Sequence, residues 1–159
     1  MTDLLSIEYK NFVLQPKIKL ENDEDRDNLF LLLTMGVCVH STCVRRMYGV
    51  LVVKDDKIIG TGYNGNYDGC HRQCTIEGSC LRDLNCVDDN AKFDPCLREE
   101  LGLNLTSEDL NGTTFYVVCH DRLQGKLLEV GMSRAAINEL NDIGVKRFVV
   151  GKKCIDMTK

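Results

Sequence analysis

Five cysteines fall between residues 70 and 96 (Cys70, Cys74, Cys80, Cys86 and Cys96), with His71 among them. Most sit in a stretch over 63–92 that is rich in Gly, Asn and Asp. A polar loop of that length buries too little apolar surface to offset the entropy of ordering it, so something other than packing must hold it. Disulfides or a metal could do so. The N-terminus, MTDLLSIEYK, lacks a basic start, a continuous apolar run and a small-residue cleavage site, so no secretory signal is expected and the expected compartment is the cytoplasm. Thiols stay reduced there, and a metal becomes the expectation for the cluster. The other cysteines, Cys38, Cys43, Cys119 and Cys154, are scattered.

With 159 residues, 43% of them hydrophobic and 28% charged, the chain has the makings of one soluble domain. The longest apolar run, 29–33 extended loosely to Val39, is interrupted by Thr34, Gly36 and His40 and falls short of the ~20 residues that a membrane span needs. A net charge of -4 is a poor field for a phosphate backbone. The basic groups Arg45-Arg46 and Lys146, Arg147, Lys152 and Lys153 read as solvated surface, so neither nucleic acid nor membrane is expected as a partner.

Residues 1–20 have no clear period and read as an N-terminal extension or an edge strand packed on a domain over 21–159. Asn22 and Asp23 supply N-cap chemistry, and Leu29, Phe30, Leu33 and Val37 recur at helical spacing, which predicts a helix over 23–39. Two β-rich runs, 48–53 and 57–61, flank Lys54-Asp55-Asp56 as a hairpin would. After the Cys-rich loop, Asp94-Pro95 opens a short helix ending before Gly102, and 113–118 reads as a buried strand. Segment 120–131 is ambiguous. Ser133 then caps a helix bearing Ala136, Ile137 and Leu140, Gly144 ends it, and 145–150 is a further strand. Strand and helix alternating after a hairpin predict a mixed α/β sheet with helices on both faces.

That order, with the words His40-Ser-Thr-Cys-Val-Arg-Arg46, Gly49-Val-Leu-Val-Val-Lys54, Gly60-Thr-Gly-Tyr-Asn-Gly65 and Gly144-Val-Lys-Arg-Phe-Val149, resembles the zinc-dependent deoxycytidylate (dCMP) deaminase family over roughly 23–150. The resemblance implies a cytidine deaminase-like three-layer α/β/α sandwich whose mixed sheet opens with a β-hairpin. In that superfamily a His or Cys and two Cys hold a catalytic zinc, and a Glu two residues after the first ligand moves protons. The signature is H-x-E followed by P-C-x-x-C. Here the first word falls on Asn90-Ala91-Lys92, an amide and a cation in place of a ligand and an acid, and the second falls on Met132-Ser133-Arg134-Ala135-Ala136, with Ser133 and Ala136 at the thiolate positions. Residues 119–131 also form a connection longer than is usual in the family. A relocated site would draw on Cys96, Cys119 and His120, with Glu99 or Glu100 as proton shuttle.

Family members carry a second, structural zinc, and the resemblance implies that Cys43, Cys74, Cys80 and Cys86 form a closed four-thiolate site here, with Cys70 and His71 as alternates. Asn64 resembles the residue that hydrogen-bonds the nucleotide sugar, although Tyr67 stands where a Pro is usual; a plain Asn-Gly turn is the other reading. The function expected is that of a deaminase-fold pseudoenzyme: a zinc-stabilised assembly or regulatory subunit, with a protein partner or a second copy of itself, able to bind a pyrimidine nucleotide. The alternatives are an active cytidine-nucleotide deaminase with a rebuilt zinc site, and a nucleotide sensor without chemistry.

Overall fold

The computed structural model describes residues 5–14, 21–41, 46–63, 105–121, 123–128 and 134–155, with the backbone alone for 134–137 and 139. Along the chain run β1 (Ser6–Val13), α1 (Asp23–Cys38), β2 (Arg46–Lys54), β3 (Lys57–Tyr63), α2 (Ser107–Leu110), β4 (Thr114–Asp121), β5 (Lys126–Leu128), α3 (Arg134–Ile143) and β6 (Arg147–Ile155).

The apolar run of β2 is buried on both faces, as a central strand requires. Leu51 and Val53 join Tyr116, Val118 and Val149 under Phe30, Leu31 and Cys38 of α1, with Phe12 of β1 completing that core. Val50 and Val52 join Phe115, Val117, Phe148 and Val150 on the other side, where Leu140 and Ile143 of α3 pack. Alternation along each strand thus feeds two cores, one per sheet face. The result is a six-stranded mixed sheet with helices packed against its two faces, the α/β/α arrangement that the family resemblance implies.

The sheet order is β1-β6-β4-β2-β3, with β5 pairing β4. Strands β2 and β3 form the expected hairpin, closed by Asp55 (φ 51°) and Asp56 (φ 61°). A two-residue turn with both central φ angles positive matches the twist of the strands it joins. Strands β4 and β6 are parallel and joined across α3, so α3 runs antiparallel to both. Gly144 (φ 94°) ends α3: its N–H bonds the carbonyl of Asn141 and that of Val145 bonds Leu140, the pairing of a helix closed by a left-handed residue. Helix α1 crosses β2 at Gly49, where a Cβ would stand 2.7 Å from the backbone of Cys38 and Thr34. Only glycine lets the helix lie that close.

Within 1–20, β1 is an edge strand parallel to β6, with Phe12 fully buried, so Ser6–Val13 is part of the sheet. The ambiguous 120–131 segment contains β5, which pairs with 119–121. Strand β2 accompanies β4 over its whole length while β6 leaves it after Val117, and β5 takes the vacated edge. Asp121 shapes the turn by accepting the N–H groups of Leu123 and Gln124 at 2.9 Å. The short helix expected after Pro95 lies outside the described residues.

Candidate functional site

The topology gathers five chain ends at one edge of the layers: the C-terminus of α1, the start of β2, and the ends of β3 and β4, with the N-terminus of α3 joining them because that helix runs antiparallel to β4. In open α/β sheets the ends of parallel strands are where ligands bind, since loops converge there around helix N-termini. Cys43 and Asn64 follow Ser41 and Tyr63 closely in sequence, and both of those residues stand at this end. Cys43, Asn64, Cys70, His71, Cys74, Cys80, Cys86, Asn90, Lys92, Cys96, Glu99, Glu100 and Ser133 themselves lie outside the described residues. Ala136 lies in the first turn of α3.

The described residues of this end are mostly apolar or neutral. Cys38 donates its thiol to the Met47 carbonyl at 3.0 Å. The rings of His40 and Tyr63 are 5.7 Å apart between centroids. Cys119 lies opposite Tyr48 across the β2–β4 ladder, and burial pushes its thiol up to about 12 against the lowering effect of the Tyr48 hydrogen bond. His120 lies opposite Met47, which packs with the α1-side core. Successive strand residues face opposite sides of a sheet, so Cys119 and His120 share this end but not a face. The Nδ1 of His120 is buried with no hydrogen-bond partner among the described residues. Among the described residues no group of three or more His, Cys, Asp and Glu could hold a metal ion. The donor set in the sequence suits zinc: thiolates at short spacings are the chemistry of closed tetrahedral sites.

The opposite end holds a charged cluster that sequence reasoning missed. Arg147 bridges two carboxylates, with Nη2 at 2.9 Å from Glu8 and 2.7 Å from Asp27, and Nη1 at 3.1 Å from Asp27. The Tyr116 hydroxyl donates to Asp27 at 2.6 Å, and Lys10 Nζ approaches Asp27 at 3.2 Å. Asp27 is only 1% exposed. Burial pushes its carboxyl up, but the Arg147 and Tyr116 hydrogen bonds outweigh that and hold it below its ordinary value; the Arg147 hydrogen bond does the same for Glu8. Burial and Asp27 together push the Tyr116 hydroxyl up. A cleft of about 170 Å³ lies over this cluster, rimmed by Asp23, Arg26 and Asp56. Arg147 therefore leaves the basic surface group in which the sequence placed it, while Lys146, Lys152 and Lys153 are exposed as expected. The available signal was Asp27 itself, an acid on the inward stripe of α1 shared with Phe30, Leu31, Thr34 and Cys38.

No protein-family profile matches the chain. It is 31% identical over 90 residues to a protein of Schizosaccharomyces pombe described as deoxycytidylate deaminase; the match covers 49% of this chain and 28% of the length of that relative. No helix among the described residues is long and apolar enough to cross a membrane.

Proposed function

We propose that this chain is a deaminase-fold protein that has lost the catalytic zinc of that fold, keeps a structural zinc on Cys43, Cys74, Cys80 and Cys86, and serves as an assembly or regulatory subunit in the cytoplasm. The carrying observation is the start of α3. The chain enters that helix after the end of β4, where the resemblance puts two zinc thiolates, and the residues in sequence there are Ser133 and Ala136. A hydroxyl and a methyl cannot replace two thiolates on zinc. Lys92, where the proton-shuttling Glu is expected, is cationic near neutral pH at its ordinary value. The similarity to a deoxycytidylate deaminase supports the fold and leaves activity to be measured. A pyrimidine nucleotide held through Asn64 fits the same reading.

The test is zinc content per chain by elemental mass spectrometry, with dCMP turnover measured on the same sample. One zinc and no turnover are expected. A second zinc with turnover overturns the proposal in favour of a rebuilt catalytic site. One observation favours that second reading, the unpartnered Nδ1 of His120, a nitrogen free to take a metal or a ligand. On that reading His120→Gln removes both the second zinc and the turnover.

A further inference from the structure

Strand β1 stands at the edge of the sheet, with β6 on one side and no described strand on the other. The Ser6 N–H donates to the Lys146 carbonyl and the Leu14 N–H to that of Ile155. Even-numbered residues therefore turn their backbone groups toward β6, and odd-numbered ones turn theirs outward. The register shift between the two strands is taken up at Lys152 of β6, so this alternation runs unbroken along β1. An outward row of peptide groups is a template for a further strand.

Two asparagines, one from a helix on each face, occupy the two ends of that row. Asn28 of α1 accepts the Val13 N–H at Oδ1 and donates from Nδ2 to the Val13 carbonyl at 3.1 Å. A carboxamide carries the same donor and acceptor as a peptide group, so Asn28 meets Val13 as a residue of a neighbouring strand would. At the other end Oδ1 of Asn141, from α3, accepts the Leu5 N–H at 2.8 Å. Asparagine is a weak helix former, so the use of both residues lies at the strand and not in their own helices.

The guarded positions are symmetric about Tyr9, each four residues from it. A second copy laying its β1 antiparallel on this edge, with the two-fold axis at Tyr9, would set Leu5 opposite the partner's Val13, Ile7 opposite the partner's Asn11 and Glu8 opposite the partner's Lys10. Opposite charges would then face each other across the axis, and the outermost rungs of the ladder would need the peptide groups that Asn28 and Asn141 already hold.

We propose that Asn28 and Asn141 close the edge of β1 against a second copy of this chain, and that without them the sheet continues there through one isologous, antiparallel contact. The inference stands apart from the pseudoenzyme reading and does not depend on it.

Sedimentation velocity of the full chain over a concentration series tests it, with hydrogen exchange read on the same samples. Asn28→Ala combined with Asn141→Ala is expected to associate at least about tenfold more tightly than the unaltered chain, with the Ile7 and Asn11 amides gaining protection as concentration rises. Adding Asn11→Pro, which removes an outward N–H that the ladder to β6 does not use, returns association to its starting level. Should the combined variant fail to fold, Asn141→Ala alone, which opens one end of the row, carries the test with a smaller shift in the same direction. Gly49→Ala, destabilising but two strands removed from this edge, leaves association unchanged. Association no tighter than that of the unaltered chain overturns the proposal. So does a tightening that Gly49→Ala reproduces, that leaves the Ile7 and Asn11 amides unprotected, or that Asn11→Pro fails to reverse.

Discussion

At one end of the sheet Glu8, Lys10, Asp27, Tyr116 and Arg147, drawn from four elements, are bonded to one another. At the other end Cys119, His120, His40 and Tyr63 stand at the tips of strands and of α1, beside the chain that leads to Cys43 and Asn64. The first end completes its chemistry inside the scaffold: each charge has a partner, and the cluster joins β1, α1 and β6. The second leaves the buried Nδ1 of His120 without a hydrogen-bond partner among the described residues. A buried charge cluster is costly to break once formed, whereas the other end, on the reading proposed above, would depend on an ion.

Removing the metal should break that contrast most sharply. Structural zinc in small domains contributes on the order of 10 kcal/mol of apparent folding energy, so a chelator should open residues 63–92 to protease and lower the thermal midpoint. An unchanged cleavage pattern would mean that Cys43, Cys74, Cys80 and Cys86 hold no ion. At the charged end, Arg147→Met leaves Asp27 and Glu8 without their guanidinium and should cost about 3–5 kcal/mol in urea denaturation. A cost under about 1 kcal/mol would show the cluster to be a solvated surface pair. Gly49→Ala, which drives a methyl into the backbone of α1, should cost about 1–3 kcal/mol without altering zinc content.

Acid should act on the charged end by a smaller amount. Both Glu8 and Asp27 titrate below their ordinary range in the folded chain, so their contribution is present above about pH 4 and is lost as pH falls through the folded values. Urea midpoints from pH 7 downward should decline in this window, and the decline should be shallower in Arg147→Met. The smallest effect expected is a gain. Asp56 holds a φ of 61° that glycine adopts without cost, so Asp56→Gly should stabilise by about 0.5–1 kcal/mol, less whatever the exposed Arg26 pair at 3.5 Å contributes. A loss in thermal denaturation would assign the Arg26–Asp56 pair a larger role than its exposure suggests.

The two ends also differ in how far they were legible. Local chemistry was readable: the helix expected over 23–39 is Asp23–Cys38, the hairpin turns at Asp55-Asp56, and Gly144 closes α3. Each of these depends on a spacing or a cap within a few residues. Ligand spacing near Cys43 and Cys74–Cys86 is also written along the chain, and the metal proposed from it falls on residues outside those described. The charged cluster was not, since Arg147 and Glu8 are 139 residues apart and neither stands out among its neighbours. Strand β5 was missed because Lys126–Leu128 is only three residues long and exists by courtesy of a vacated edge. The pairing of β1 depended on a partner at the far end of the chain.

That pairing bears on how the molecule is made. Strand β1 leaves a ribosome long before β6, the strand it lies beside, because Ser6 pairs with Arg147. At about 5–20 residues per second the wait is on the order of ten seconds. Through it Ile7 and Phe12 have no sheet to join, and every other element that covers Phe12's pocket can assemble before them. Closing so long a loop is the slow kind of contact to form. Strand β1 thus waits for β6 before it can be seated, and Glu8 meets Arg147 only then.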